Sequence, residues 1–253
     1  MHHALAYVTL EEGRDFAAGL QLYLRAAEGY RRTGDRRRES IALANSAVAL
    51  AQLGRFGDAI DAYDEARALA LAVGNARSAA VCLEGRGSIR RCLGELEGAD
   101  EDLAEALAEA RRLAHPRLAD AALAERVYVA LAGGHSAEAL RARLAEIEGV
   151  PGPGALAVRL RGRTRLGEDV TADLAQVAAV RAAHGANSLV QIELLVALWE
   201  ARGGGAAERE AFAGALREYL ESAADEGERR VRRRGVVRRF HVPALLLSSS
   251  DRH

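Results

Sequence analysis

The stretch "GRFGDAIDAYDEARALALAVGN", Gly54 to Asn75, has near copies forty residues away on either side. Upstream stands "RDFAAGLQLYLRAAEGYRRTGD" and downstream "GELEGADEDLAEALAEARRLAH". In register, Phe16, Phe56 and Leu96 coincide, as do Tyr23, Tyr63 and Leu103, and Ala26, Ala66 and Ala106. Leu20 and Ile60 coincide, with Asp100 in the third copy. Gly34, Gly74 and Ala114 close each copy, while Gly54 and Gly94 open it, with Arg14 in the first. A fixed period of this length is the mark of stacked supersecondary units. One such unit cannot bury its apolar face alone, so each copy shields the next.

Each period reads as two helices. "SIALANSAVALAQL", Ser40 to Leu53, precedes the second copy, and "AAVCLEGRGSIRRCL", Ala79 to Leu93, precedes the third. Ala47 and Gly87 fall mid-helix at matching positions, where a small side chain lets a neighbouring helix come close. Glycine costs about 1 kcal/mol there relative to alanine, so close packing has to offset it. Gly54 and Gly94 stand where left-handed caps end a helix. A fourth copy keeps phase through Leu123, Gly134, Ala139 and Leu140. "VPGPG", Val150 to Gly154, then interrupts, because two prolines and two glycines in five residues do not continue a helix. Residues 155–225 read as two looser helical hairpins, turning at Gly167 and at Gly203 to Gly205.

These offsets resemble the tetratricopeptide repeat, in its longer variety of about forty residues found in kinesin light chains and bacterial signalling regulators. Ala47, Gly54, Ala59, Tyr63 and Ala66 match its pattern. Gly87, Gly94, Ala99 and Ala106 match again, with Leu103 in place of the aromatic, and the first copy departs at Tyr7 and Gly19. The resemblance implies an all-α, right-handed helical-hairpin solenoid of five or six hairpins. Residues 1–149 form the repeat array, 150–154 the break, 155–225 the irregular continuation and 226–253 an Arg-rich tail.

Composition agrees with helices. Apolar residues make up 49% but aromatics only 4%, so the core is built from Ala, Leu and Val. No lysine occurs, and all 35 basic residues are Arg, a bias that points to a GC-rich, bacterial genome. Without Lys there is no Walker A loop and no Schiff-base or pyridoxal-phosphate anchor. "EGRGSIRR" holds Gly85 and Gly87 but has Arg90 where a third glycine would stand, and it lies within a helix. No HExxH occurs among the seven histidines, and His115 and His184 read as helix-end residues. Acidic runs such as Glu11–Glu12 and Asp100, Glu101, Asp102 read as solvated faces. Cys82 and Cys92, ten apart on one helix, are beyond disulfide reach and read as free thiols.

The expectation is therefore a protein without catalytic, metal or cofactor sites. No secretory signal or membrane-spanning run is read, so a cytoplasmic location is expected. Net charge is −1, which draws no nucleic acid. From Asp225 onward eight Arg stand against four acids, a net of +4, with Phe240 the one interleaved aromatic. That pattern reads as a basic tail that neutralises the acidic solenoid or docks on a partner, followed by the apolar "VPALLLSSS".

By the resemblance, function lies on a concave groove lined by the first helix of each hairpin. Asn45, Val48 and Gln52 line it in one unit; Glu84, Ser88 and Arg91 in the next; Glu125 and Tyr128 in the fourth. Asn45 holds a position that carboxylate-clamp members of the family use, but Ala4, Val81 and Gly85 stand where the basic partners would be. The resemblance implies a scaffold or adaptor that holds a protein or peptide segment in this groove. The alternative is the ligand-sensing part of a bacterial signalling or transcription regulator.

Overall fold

The computed structural model describes residues 16–183, 189–221 and 229. Among them the chain is all α-helical, with eleven helices. In order these are α1 (Phe16–Thr33), α2 (Arg36–Gln52), α3 (Phe56–Ala72), α4 (Ala76–Leu93), α5 (Leu96–Arg112) and α6 (Pro116–Ala132). There follow α7 (Ala137–Glu146), α8 (Pro153–Leu166), α9 (Thr171–Ala183), α10 (Leu189–Ala201) and α11 (Ala206–Glu221). Contacts pair α2 with α3, α4 with α5, α8 with α9 and α10 with α11. The expected partner of α1, in residues 1–15, lies outside the described residues, as does the Arg-rich tail apart from Arg229.

The same turn recurs every twenty residues. Gly34, Gly54, Gly74, Gly94, Ala114 and Gly134 all take positive φ, between 50° and 84°. The next residue in each case donates its N–H to the carbonyl five back: Asp35 to Tyr30, Arg55 to Leu50, Asn75 to Ala70, Glu95 to Arg90, His115 to Ala110 and His135 to Ala130, at 2.8–3.2 Å. This six-to-one bond across a left-handed residue satisfies a helix's last carbonyls and reverses the chain. Ala114 meets the requirement without being glycine, which strains it.

Two compact units arise, one ending at Ala122 and the other beginning at Leu123, within α6. In the first, consecutive helices pack from α1 through α5, and α2 also touches α4. That is the arrangement of stacked helical hairpins. Its core repeats the twenty-residue step: Tyr23, Leu43, Tyr63, Leu83 and Leu103 are all buried. Small residues hold the closest approaches. A Cβ added at Gly87 would lie 2.8 Å from Leu103 Cγ and 3.1 Å from the Ala99 carbonyl, so this glycine is where α4 and α5 meet. Ala80, Ala110 and Leu118 bring the start of α6 onto α4 and α5.

In the second unit, α8 packs against α7, α9 and α10, and α10 against α9 and α11. Leu156, Leu160, Val177, Leu194, Ala197 and Leu198 form its core. The interruption predicted at 150–154 is shorter in the structure. Pro153 and Gly154 belong to the first turn of α8, where proline's missing N–H costs nothing. The buried Arg159 donates to the Val150 carbonyl at 2.8 Å, providing a partner for backbone in the linker.

Candidate functional site

Two neighbouring helices carry most of the predicted groove residues. α2 starts where the Asp35 carboxylate accepts the Arg38 N–H at 3.0 Å, and α4 where Asn75 accepts from Ser78. These caps satisfy donors that no helical bond can reach. Asn45, Val48 and Gln52 then follow at three and four residue steps on α2, and Glu84 and Ser88 at a four-residue step on α4, so each set shares a face. Val48 is 41% exposed and Val81, also on α4, 37%. Asn45, Gln52, Glu84 and Ser88 are half-buried. Gly85 lies among them, and a Cβ there would fall 2.3 Å from Tyr63 Cζ. The tyrosine ring of α3 fills the space that any side chain at position 85 would need.

Arg91 and Tyr128 do not join this surface. Arg91 is 1% exposed and Tyr128 4%, so neither is open to a visiting chain. The helical step predicts which face a residue shares but not how deeply a long side chain sinks into it. Glu125 and Tyr128 belong to the second unit, Glu125 half-buried there.

Charge organises the first unit in ways the residue pattern did not reveal. Asp102, read from the sequence as solvated, is 5% exposed. Arg86 grips it with two bonds, Nε at 2.8 Å and Nη2 at 2.6 Å, and Arg90 adds a third at 2.9 Å. Arg86 also pairs with Asp64, so the cluster joins α3, α4 and α5. The hydrogen bond to Asp102 is the largest of the influences that hold the Arg86 pKa above its ordinary value. Glu39 is fully buried at a position where the next period has Ala79. Arg31 at 2.7 Å and Arg36 at 3.1 Å compensate it. A buried carboxylate without such partners would cost several kcal/mol. Apart from Arg36, three residues from Glu39, the partners lie 8 to 22 residues away, and no local motif announces them.

The second unit holds a similar cluster. Tyr128 donates its hydroxyl to Glu193 Oε1 at 2.5 Å. Arg161 stacks over the Tyr128 ring, 5.6 Å from its centre, and binds Glu200 with two bonds of 2.7 and 2.8 Å. Burial alone would lower the pKa of Arg161, yet Tyr128 and Glu200 hold it above its ordinary value. Asp173, 1% exposed, is shared by Arg159 at 3.2 Å and Arg163 at 2.6 Å. These groups bond to one another across helices.

His115 does not end α5 as expected, since Ala114 takes the left-handed turn. Its Nδ1 accepts the Leu118 N–H at 3.2 Å and so caps the start of α6, while His184 lies outside the described residues. Among the described residues no group of three or more His, Cys, Asp and Glu side chains converges as a metal site would. Cys82 and Cys92 are both free thiols on α4. Burial pushes the Cys82 thiol up to about 12, with Arg67 and Arg86 offsetting only part of the effect. A thiol held neutral in this way is a poor nucleophile. It stands where neighbouring periods have Ala42 and Ala122, as a packing residue.

At the beginning of the first unit, a cavity of about 480 Å³ opens between α1 and the start of α2. Arg25, Ala26, Gly29, Tyr30 and Thr33 of α1 line it, with Asp35 and Arg38 across the turn. Among the described residues, no helix is long and apolar enough to cross a membrane. The sequence matches no protein-family profile and no curated protein.

Proposed function

We propose that this chain is a non-enzymatic binding module, a tetratricopeptide-like scaffold that holds an extended or helical segment of another protein on the shared face of α2 and α4. The observation that carries this reading is the side-by-side packing of those two helices, with Val48 and Val81 exposed and Asn45, Gln52, Glu84 and Ser88 half-buried beside them. Exposed apolar side chains supply contact area, and the amide, hydroxyl and carboxylate groups give direction. Arg91, although predicted as a contact, contributes from inside the fold. In this reading the charged clusters are ties between helices.

The test is a peptide-display selection on the whole protein. Enriched peptides should lose binding to Val48→Glu and to Ser88→Arg, and keep it for Asp61→Arg on the exposed part of α3. Peptides indifferent to both α2 and α4 substitutions would place the binding surface elsewhere. Hydrolytic or transfer activity in a broad substrate screen would contradict the non-enzymatic reading.

A further inference from the structure

The stretches of α2 and α4 that share a face differ in charge. From Ser40 to Leu53 no charged residue occurs, so α2 offers apolar and neutral polar groups there. From Val81 to Leu93 the charged residues are Glu84, Arg86, Arg90 and Arg91. The arginines are engaged elsewhere. Arg86 bonds to Asp102 of α5 through Nε at 2.8 Å and Nη2 at 2.6 Å, and pairs with Asp64 of α3. Arg90 bonds to the same Asp102 at 2.9 Å, and Arg91 is 1% exposed. Glu84, half-buried, is the charged group that these stretches leave on the shared face.

Glu84 lies between Val81 and Ser88 at three- and four-residue steps, with Val81 and Val48 exposed beside it. Apolar side chains around one carboxylate suit the alkyl stem and charged head of Arg or Lys. Partial burial strengthens such a pair relative to one in open water. Glu84 already interacts within the chain, and a carboxylate accepts from more than one donor. An anionic chain end finds no counter-charge here. By the tetratricopeptide resemblance, Val81 and Gly85 stand where a carboxylate clamp would need cations.

We propose, on the reading that the α2–α4 face is the binding surface, that it selects a cationic segment of a partner protein: apolar residues flanking an Arg or Lys whose charge meets Glu84. Contact with Val48 and Val81 supplies area, and the sign of Glu84 decides which segments are accepted.

The experiment is the peptide-display selection on the full chain, read for charge. Enriched peptides should carry more Arg and Lys than the starting library, beside apolar residues, and fewer Asp and Glu. In labelled synthetic copies, replacing the Arg or Lys by Gln should weaken binding about tenfold by fluorescence anisotropy, and added salt should weaken the parent more than its Gln twin. The twins need no altered protein, so they decide the matter even if position 84 does not tolerate change. Glu84→Gln, with helicity checked by circular dichroism, should weaken the parent by a similar factor and leave the Gln twin unmoved. Glu84→Lys should turn the selection towards acidic peptides. Neutral or acidic binders, or basic ones indifferent to Glu84, overturn the proposal; if Val48→Glu still abolishes their binding, the α2–α4 surface stands. Absence of any binder that depends on Val48 and Ser88 overturns both. A synthetic copy of residues 227–241 that binds with the same Glu84 dependence also overturns the proposal, because the chain's own tail is then the occupant.

Discussion

Gly87 shows how a single missing methyl group can hold two helices together. Gly87→Ala would gain about 1 kcal/mol of helix propensity. It would also push a Cβ against Leu103 and the Ala99 carbonyl, where overpacking costs about 1–3 kcal/mol. We predict a net loss of stability by urea denaturation. Gly214→Ala in α11, where an added Cβ meets nothing within 4 Å, should instead gain up to about 1 kcal/mol. Glycine's packing role at position 87 was legible because Ala47 holds the matching position one period earlier. The burial of Arg91, Asp102, Glu39 and Tyr128 was not, because their depth depends on helices that lie far along the chain. Cys82 carries a second prediction. Its thiol ionises near 9.0 when unfolded but near 12 when folded, so the unfolded chain releases the proton first as pH rises. Stability should therefore fall between those two values, by up to about 1.4 kcal/mol per pH unit. Cys82→Ala should remove that part of the slope in paired urea titrations. An identical slope in the variant would show that Cys82 is ionised in the folded state.

The turn is the element that the chain repeats most faithfully. Gly34, Gly54, Gly74, Gly94 and Gly134 place a left-handed residue every twenty positions, and Ala114 alone carries a side chain there. Left-handed alanine costs roughly 1–2 kcal/mol. Ala114→Gly should thus raise stability by about 1 kcal/mol, and Gly74→Ala should lower it by a similar amount; thermal melts of the two variants measure both. If Ala114→Gly were to destabilise, the turn would owe its shape to His115 and the α6 cap instead. Helix positions and turns were legible at this scale, since glycine and apolar spacing mark them directly. Residues 150–154 were less so. Proline breaks a helix interior but begins one comfortably, and the sequence does not say which end Pro153 occupies.

At the scale of the molecule, stability in the first unit comes from neighbour upon neighbour. Leu43, Tyr63 and Leu83 are buried on helices that pack against a neighbour on either side, so the forty-residue pair is the unit that stacks. That much follows from the repeat. The groove follows less securely: periodicity assigns faces, and α2 and α4 do pair, but Arg91 shows that a shared face is not a shared surface. The most direct test of the stacking claim is a deletion pair followed by circular dichroism and urea unfolding. Removing residues 54–93, one full pair of helices, joins Leu53 to Gly94 and preserves every register. The account predicts a helical protein that still unfolds cooperatively, with a smaller denaturant dependence. Removing residues 54–73 keeps the spacing of the turns but puts α4 where α3 belongs, and should abolish cooperative unfolding. Loss of cooperativity in both deletions, or its survival in both, would contradict the helix pair as the stacking unit.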